Sequence, residues 1–249
     1  MQLVTPDVKQ HILDLISKRD MYKVDILSRK LAYSYYVEKL AFMDKQELIE
    51  LIDKVTGGLG YKRDEPLNAV SMTLAGTVIV WPDAVRKSRR ILEIGTGLGR
   101  TCYVSYYYVK PEMFVTIDVS LEILALALYR NPIDVYWKSL WELTTFVMWG
   151  DAIDVVKRLP NSFFDHVIHD GGPNPLKNPS IYTRWFLCEI YRVLKPCGTL
   201  SVFAGRARRG KEMVYRNLLN AGFKIVESAS LPESPALVFY ALKPCGATI

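Results

Sequence analysis

The run Ile91-Leu92-Glu93-Ile94-Gly95-Thr96-Gly97-Leu98-Gly99-Arg100 restricts this chain more than any other stretch of it. A short apolar segment breaks into a glycine-rich turn, and roughly twenty residues on Phe114-Val115-Thr116-Ile117 closes on an acid, Asp118. Strand, glycine turn, helix, strand and acid build a nucleotide-type site at the carboxyl end of a parallel sheet. Glycine lets backbone approach a ligand closely because it has no Cβ and tolerates positive φ. The glycines here stand at 95, 97 and 99, a G-x-G-x-G turn. Dinucleotide sites favour G-x-G-x-x-G, in which a helix N-terminus holds a pyrophosphate. The tighter turn, with Glu93 ahead of it, points instead to S-adenosylmethionine, which has no pyrophosphate. Glu93, Gly95, Thr96, Gly97 and Gly99 are therefore cofactor-binding candidates, and Asp118 is placed to accept hydrogen bonds from the ribose hydroxyls.

From Ile91 onward strands and helices alternate, which implies a parallel sheet covered by helices on both faces. Strands are expected at 91–94, 115–117, 145–149, 166–169 and 199–203, with helices over 100–108, 121–129, 152–159, 179–194 and 210–221. The last two strands, 223–228 and 236–242, are joined by only Ala229 to Pro235. A parallel crossover needs a dozen or more residues, so this pair must be antiparallel. Upstream, residues 6 to about 56 read as helices by apolar spacing. Asp44 followed by Glu47 forms a capping-box pattern, and Gly57-Gly58 with Gly60 would stop that helix. Thr77 to Trp81 reads as a strand, followed by a short helix opened by Pro82. The expected organisation is a helical cap or partner-binding region over 1–60, a connecting segment with one strand over 61–88, and a Rossmann-like catalytic domain over 89–249.

A doubly wound, mostly parallel seven-stranded α/β sheet ending in an antiparallel hairpin resembles the class I S-adenosylmethionine-dependent methyltransferases. The likeness covers roughly 88–243, with Glu93 to Gly99, Asp118, Asp151, Asp170 and Leu194-Lys195-Pro196-Cys197-Gly198 matching in order. It implies that Asp118 holds the ribose with Val119 beside it among the cofactor-binding residues, that Asp151 and Ala152 lie against the adenine, and that Asp170, itself cofactor-binding, faces both methyl group and acceptor. Thr96-Gly97-Leu98-Gly99, Asn131-Pro132, Phe164 to Asp170 and Tyr191 to Pro196 further resemble an archaeal group of predicted methyltransferases. That group carries spermine-synthase-like descriptions and includes a ribosomal RNA cytidine N4-methyltransferase. RNA is accordingly the leading acceptor.

Where that group has Asp-Pro-Pro plus an aromatic or basic residue after the fourth strand, this chain has Asp170-Gly171-Gly172-Pro173-Asn174-Pro175. Asp170 can still accept a hydrogen bond from an amine and orient its lone pair, which makes it the catalytic candidate. Strand alternation turns neighbouring His169 to the other face, as a packing residue. Arg206, Arg208 and Arg209 fall in a loop after a strand, where anionic substrates are met. Trp81 is a further substrate candidate, through stacking on a base. The run Arg86 to Arg90 reads as a solvated helix end.

The net charge of +6 suits a nucleic-acid partner without requiring one. Half of the residues are hydrophobic and 23% are charged, a globular composition. No apolar run approaches the roughly 20 residues of a membrane span. The four cysteines and three histidines show no metal-ligand spacing. Reduced thiols in a cytoplasmic protein are the expectation, with no metal and with a homodimer as one option. Two other readings stay open. Aminopropyl transfer, as in polyamine synthases, uses the same fold with decarboxylated S-adenosylmethionine, but needs paired acids where Gly171 and Gly172 stand. A non-catalytic binding protein of this fold is the other.

Overall fold

A computed structural model describes residues 5–55, 66–172, 174–232 and 234–246. Gly57, Gly58, Gly60 and Pro173, used in the sequence reading, lie outside them. The helices are α1 Pro6–Ser17, α2 Met21–Tyr35, α3 Lys45–Val55, α4 Pro66–Val80, α5 Pro82–Val85, α6 Arg100–Tyr108, α7 Leu121–Tyr129, α8 Asp134–Leu140, α9 Ala152–Arg158, α10 Arg184–Val193 and α11 Arg208–Asn220. The strands are β1 Arg90–Ile94, β2 Met113–Asp118, β3 Thr145–Trp149, β4 Phe164–His169, β5 Leu194–Gly205, β6 Lys224–Ser230 and β7 Leu237–Leu242. They form one sheet in the order β3-β2-β1-β4-β5-β7-β6. All pairs are parallel except β5–β7 and β6–β7, the latter as the short connection between those two strands requires. The order reverses between β1 and β4, and in open α/β sheets ligands bind at the carboxyl ends of the strands at such a point.

The strands beside this crevice are buried on both faces, so their apolar runs are nearly continuous. Ile91, Leu92 and Ile94 of β1, Phe114, Val115 and Ile117 of β2, and Val167 and Ile168 of β4 all lie in the core. The N-terminal helices close one side of the sheet. In α2, Asp25 accepts the Val147 amide at 2.7 Å and Ser28 accepts the Trp149 amide at 2.9 Å. Arg29 pairs with Asp25 at 2.8 Å and donates to the Leu140 and Thr145 carbonyls. The β3 edge thus finds its hydrogen-bond partners on helix side chains. The capping box forms as expected: Glu47 accepts the Asp44 amide at 2.8 Å while Asp44 accepts the Glu47 amide at 2.9 Å.

Several expectations are corrected. Thr77 to Trp81 is no strand; 77–80 are the last turn of α4. The β-branched run suggested a strand, but β-propensity yields to packing context. Met72, Gly76, Ile79 and Val80 are buried at helical spacing while Val70 and Leu74 face out. The Thr77 hydroxyl donates back to the Thr73 carbonyl at 3.1 Å. The helix ends at Trp81 (φ 55°), the residue before Pro82, where the proline ring disfavours helical backbone. The helix expected over 179–194 is a 3₁₀ turn at Pro179–Tyr182 followed by α10, capped by Thr183 accepting the Phe186 amide at 3.2 Å. The strand expected at 199–203 is longer, and α8 had no counterpart in the reading.

The expectation of reduced thiols also fails for one pair. Cys197 and Cys245 form a disulfide, with Cα atoms 4.5 Å apart. Antiparallel register puts Leu242 opposite Thr199, and the Lys243 amide donates to Gly198, so the following residues run past Cys197. Cys102 is a buried free thiol and Cys188 an exposed one.

Candidate active site at the sheet switch point

The ends of β1 and β4 are tied to their neighbours and to each other. The Gly95 amide donates to the Ile117 carbonyl at 2.9 Å, and the Asp170 amide donates to the Ile94 carbonyl at 3.0 Å. The glycines of the turn divide their work. A Cβ on Gly95 (φ +93°) would stand 2.6 Å from the Asp170 carbonyl oxygen, so this residue lets two backbone segments meet. A Cβ on Gly99 (φ +89°) would stand 2.8 Å from Leu140. Gly97 (φ +50°) is exposed, and no heavy atom lies within 4 Å of where its Cβ would be. Its bare backbone faces open space. Asn131 holds the turn from behind, donating to the Leu98 carbonyl at 2.8 Å.

Asp118 ends β2 beside that space. Its carboxylate accepts the Gly97 amide at 3.3 Å and the Ser120 amide at 2.9 Å. Burial pushes its pKa up to about 6, against the pull of these backbone donors. Val119 is exposed, and its carbonyl accepts the Trp149 indole N–H at 3.0 Å. Asp151 caps α9 by accepting the Ile153 amide at 2.8 Å, and Ala152 follows at the same rim. Thr96 is buried, its hydroxyl 2.7 Å from that of Thr116. Glu93 lies beneath the turn with no exposed surface. Its carboxyl accepts from the Thr101 hydroxyl and, at 2.5 Å, from Thr116. Burial drives its pKa well up, so Glu93 braces β1, β2 and the start of α6.

At the end of β4, Asp170 is ion-paired with Arg100, Oδ2 to Nη2, at 2.7 Å. Arg100 had no role in the sequence reading. A signal was available, since a cation at the first position of a helix is disfavoured by the helix dipole unless an anion is held nearby. His169 packs as expected: its Nε2 lies 2.8 Å from the Ile181 carbonyl and its ring rests against Tyr182 and Phe186. Burial lowers its pKa to about 4 and leaves it neutral. Tyr182 is fully buried, whereas Trp185 is exposed with Lys157 over its ring at 4.6 Å.

Arg206, Arg208 and Arg209 are exposed at the carboxyl end of β5, on the same side of the sheet as Asp170. Of the three expected in a loop, Arg206 alone lies there; Arg208 and Arg209 open α11, and the loop meets the Asp170 loop, because a Cβ on Gly205 would stand 2.8 Å from Pro175. Arg208 pairs with Glu212 at 2.8 Å. Trp81 is not part of this site. It stacks on Tyr240 at 4.7 Å and touches His166 near the start of β4, lining a cleft of about 480 Å³ with Asp165 and Lys195. Asp170 lies four positions beyond His166, roughly 13 Å of strand, so Trp81 belongs to the opposite end of the sheet. The Arg86–Arg90 run lies at that same far end, Arg86 pairing with Asp83 at 3.1 Å. Among the described residues, no cluster of His, Cys, Asp or Glu could hold a metal ion, and no helix is long and apolar enough to cross a membrane.

Seven strands in this order, with a glycine turn at the switch point and an antiparallel close, define a methyltransferase fold. A family model described as S-adenosyl-L-methionine-dependent methyltransferase matches residues 136–235, from within α8 to just before β7. An uncharacterized protein of Methanocaldococcus jannaschii is 33% identical over 166 residues, covering 64% of this chain. The chain spans about half, 54%, of that relative's length. Spermidine synthase from Thermotoga maritima superposes with a TM-score of 0.59 at 16% identity, over 69% of this chain and 60% of that one. The 1,6-didemethyltoxoflavin-N1-methyltransferase of Burkholderia thailandensis, solved with S-adenosylhomocysteine, gives 0.52 at 17% identity, over 82% and 92%. At these identities the structural likenesses speak for the fold.

Proposed function

We propose that this chain is an S-adenosylmethionine-dependent methyltransferase acting on an amine nitrogen of an RNA base. The observation that carries the cofactor assignment is the floor at Gly97, where bare backbone faces open space beside the Asp118 carboxylate. A small ligand can lie directly on such backbone, and Asp118 is placed for its ribose hydroxyls. The Gly95–Gly99 turn would hold the amino-acid end, with Asp151 and Ala152 beside the adenine. When bound, the cofactor supplies a sulfonium methyl that passes to the acceptor nitrogen, the C–S electron pair staying on sulfur and the nitrogen shedding one proton. Asp170 accepts the acceptor's N–H, aligns its lone pair and takes up that proton before passing it to water.

RNA as acceptor is supported by the charge of +6 and by Arg206, Arg208 and Arg209 at the rim beside the Asp170 loop. The family model supports the transfer chemistry. Calorimetric titration with S-adenosylmethionine, S-adenosylhomocysteine and the decarboxylated form tests the assignment. Binding of the first two, weakened at least about tenfold by Asp118→Ala, is expected, followed by methyl transfer to RNA. Preference for the decarboxylated form would replace this reading with aminopropyl transfer. Absence of binding by all three would overturn it in favour of a non-catalytic protein.

A further inference from the structure

We propose that Arg100 is the positioning residue of Asp170. It holds one carboxylate oxygen and leaves the other for the acceptor amine, and Gly76 of α4 makes the room that sets its reach. The inference rests on the methyltransferase reading for what the free oxygen does, but not for the pairing itself.

Three features carry it. The pair is largely withdrawn from water, with side chains 15% and 18% exposed and a 2.7 Å contact. Arg100 is the first residue of α6, a position that disfavours a cation unless an anion is held against it. Its stem runs against α4, where a Cβ on Gly76 would stand 2.8 Å from Arg100 Cγ and 3.1 Å from Cδ. Even an alanine there pushes the guanidinium off its line.

The contact uses Asp170 Oδ2 alone, and among the described residues Oδ1 accepts no hydrogen bond. An Arg–carboxylate pair made through one oxygen anchors that oxygen and spares the lone pairs of the other for a third group. The charged and titratable groups facing Asp170 are Arg100 from α6, Tyr182 from the 3₁₀ turn and Glu93 from β1, while the neighbouring His169 turns away onto Tyr182 and Phe186. The Tyr182 hydroxyl is buried without a partner among the described residues, and it adds no positive charge. Glu93 is held by its threonines, and His169 is neutral. Arg100 is therefore the cation that draws the Asp170 carboxyl back toward its ionised form, against the upward push of burial. A carboxyl that had already taken up a proton could not take up the amine's as well.

Carboxyl-carbon NMR of the protein without cofactor or acceptor reads the pairing directly. In Arg100→Gln the Asp170 titration should move upward by about one pH unit or more. Arg100→Lys should recover part of that shift, and Gly76→Ala should move it in the same direction as Arg100→Gln. In methyl-transfer assays the acidic limb should move by the same interval, with KM for S-adenosylmethionine changed less than about twofold. An Asp170 titration that stays in place in folded Arg100→Gln overturns the proposal. If that variant does not fold, Arg100→Lys and Gly76→Ala give the same reading. A wild-type protein that binds no S-adenosylmethionine would defeat the functional reading and leave the titration to decide the pairing.

Discussion

Replacing Gly95 or Gly97 by alanine separates two roles packed into one turn. Both residues have positive φ, which costs an L-residue about 1–2 kcal/mol. At Gly95 the new methyl also meets the Asp170 carbonyl oxygen at 2.6 Å and the Gly171 Cα at 3.0 Å, both backbone atoms of the adjoining strand end. Relieving that contact means moving β1 or β4, an overpacking cost of about 1–3 kcal/mol. Gly95→Ala is thus expected to lose about 2–5 kcal/mol, and Gly97→Ala only the first part. In a domain of this size each kcal/mol shifts the melting midpoint by about 2–4 °C. Thermal unfolding should therefore fall by roughly 4–20 °C for Gly95→Ala and roughly 2–8 °C for Gly97→Ala. Ligand binding should rank differently. The Gly97 methyl enters the open space where the cofactor is placed, so a comparable overpacking cost falls on the complex, about ten- to hundredfold in affinity. Calorimetric titration beside thermal unfolding reads both quantities. A Gly97→Ala protein that binds S-adenosylmethionine as the wild type does, or melts below Gly95→Ala, would refute this division of labour.

Acid should weaken the fold through its histidines. Burial lowers His166 and His169 to about 4, so the unfolded chain takes up protons below its ordinary 6.5 while the folded state stays neutral. Stability is complete above about 6.5 and is lost as pH falls toward about 4. Asp118, raised to about 6, has the opposite sign, because its folded state binds the extra proton between 3.8 and about 6. Urea unfolding at several pH values should give Asp118→Asn a steeper acid loss than the wild type, by up to about 1.4 kcal/mol per pH unit; parallel slopes would contradict the assignment. The Cys197–Cys245 bridge closes a separation of 48 residues. Reductant, or Cys245→Ser, should cost the oxidised protein about 2–4 kcal/mol, and equal unfolding midpoints with and without reductant would show the pair to be open.

The central sheet was legible because its signals are local. Apolar runs ending in Gly95, Asp118, Gly150 and Asp170 mark strand ends, and seven residues between 228 and 236 leave antiparallel pairing as the outcome. The capping box at Asp44 and the inward turn of His169 are equally short-range. The misread parts depend on contacts far along the chain. Thr77 to Val80 has strand-like composition, and only burial against α6 makes it helical. The Cys197 pairing follows from sheet register that no spacing reveals. Arg100 was quoted within the glycine motif, yet its partner lies 70 residues away.

The way α2 meets β3 bears on how the molecule behaves among its own copies. A bare edge strand is a template on which another chain can add a strand. At β3 the amides of Val147 and Trp149 are already spoken for by Asp25 and Ser28. At the far edge, β6 is guarded by other means: Lys224, Glu227 and a register shift between Ile225 and Glu227 interrupt its outer face. The first helices therefore act as a guard against self-templated growth. A chain cut back to begin at Arg89 would bare the β3 edge and should gather into strand-linked aggregates even where its catalytic half still folds.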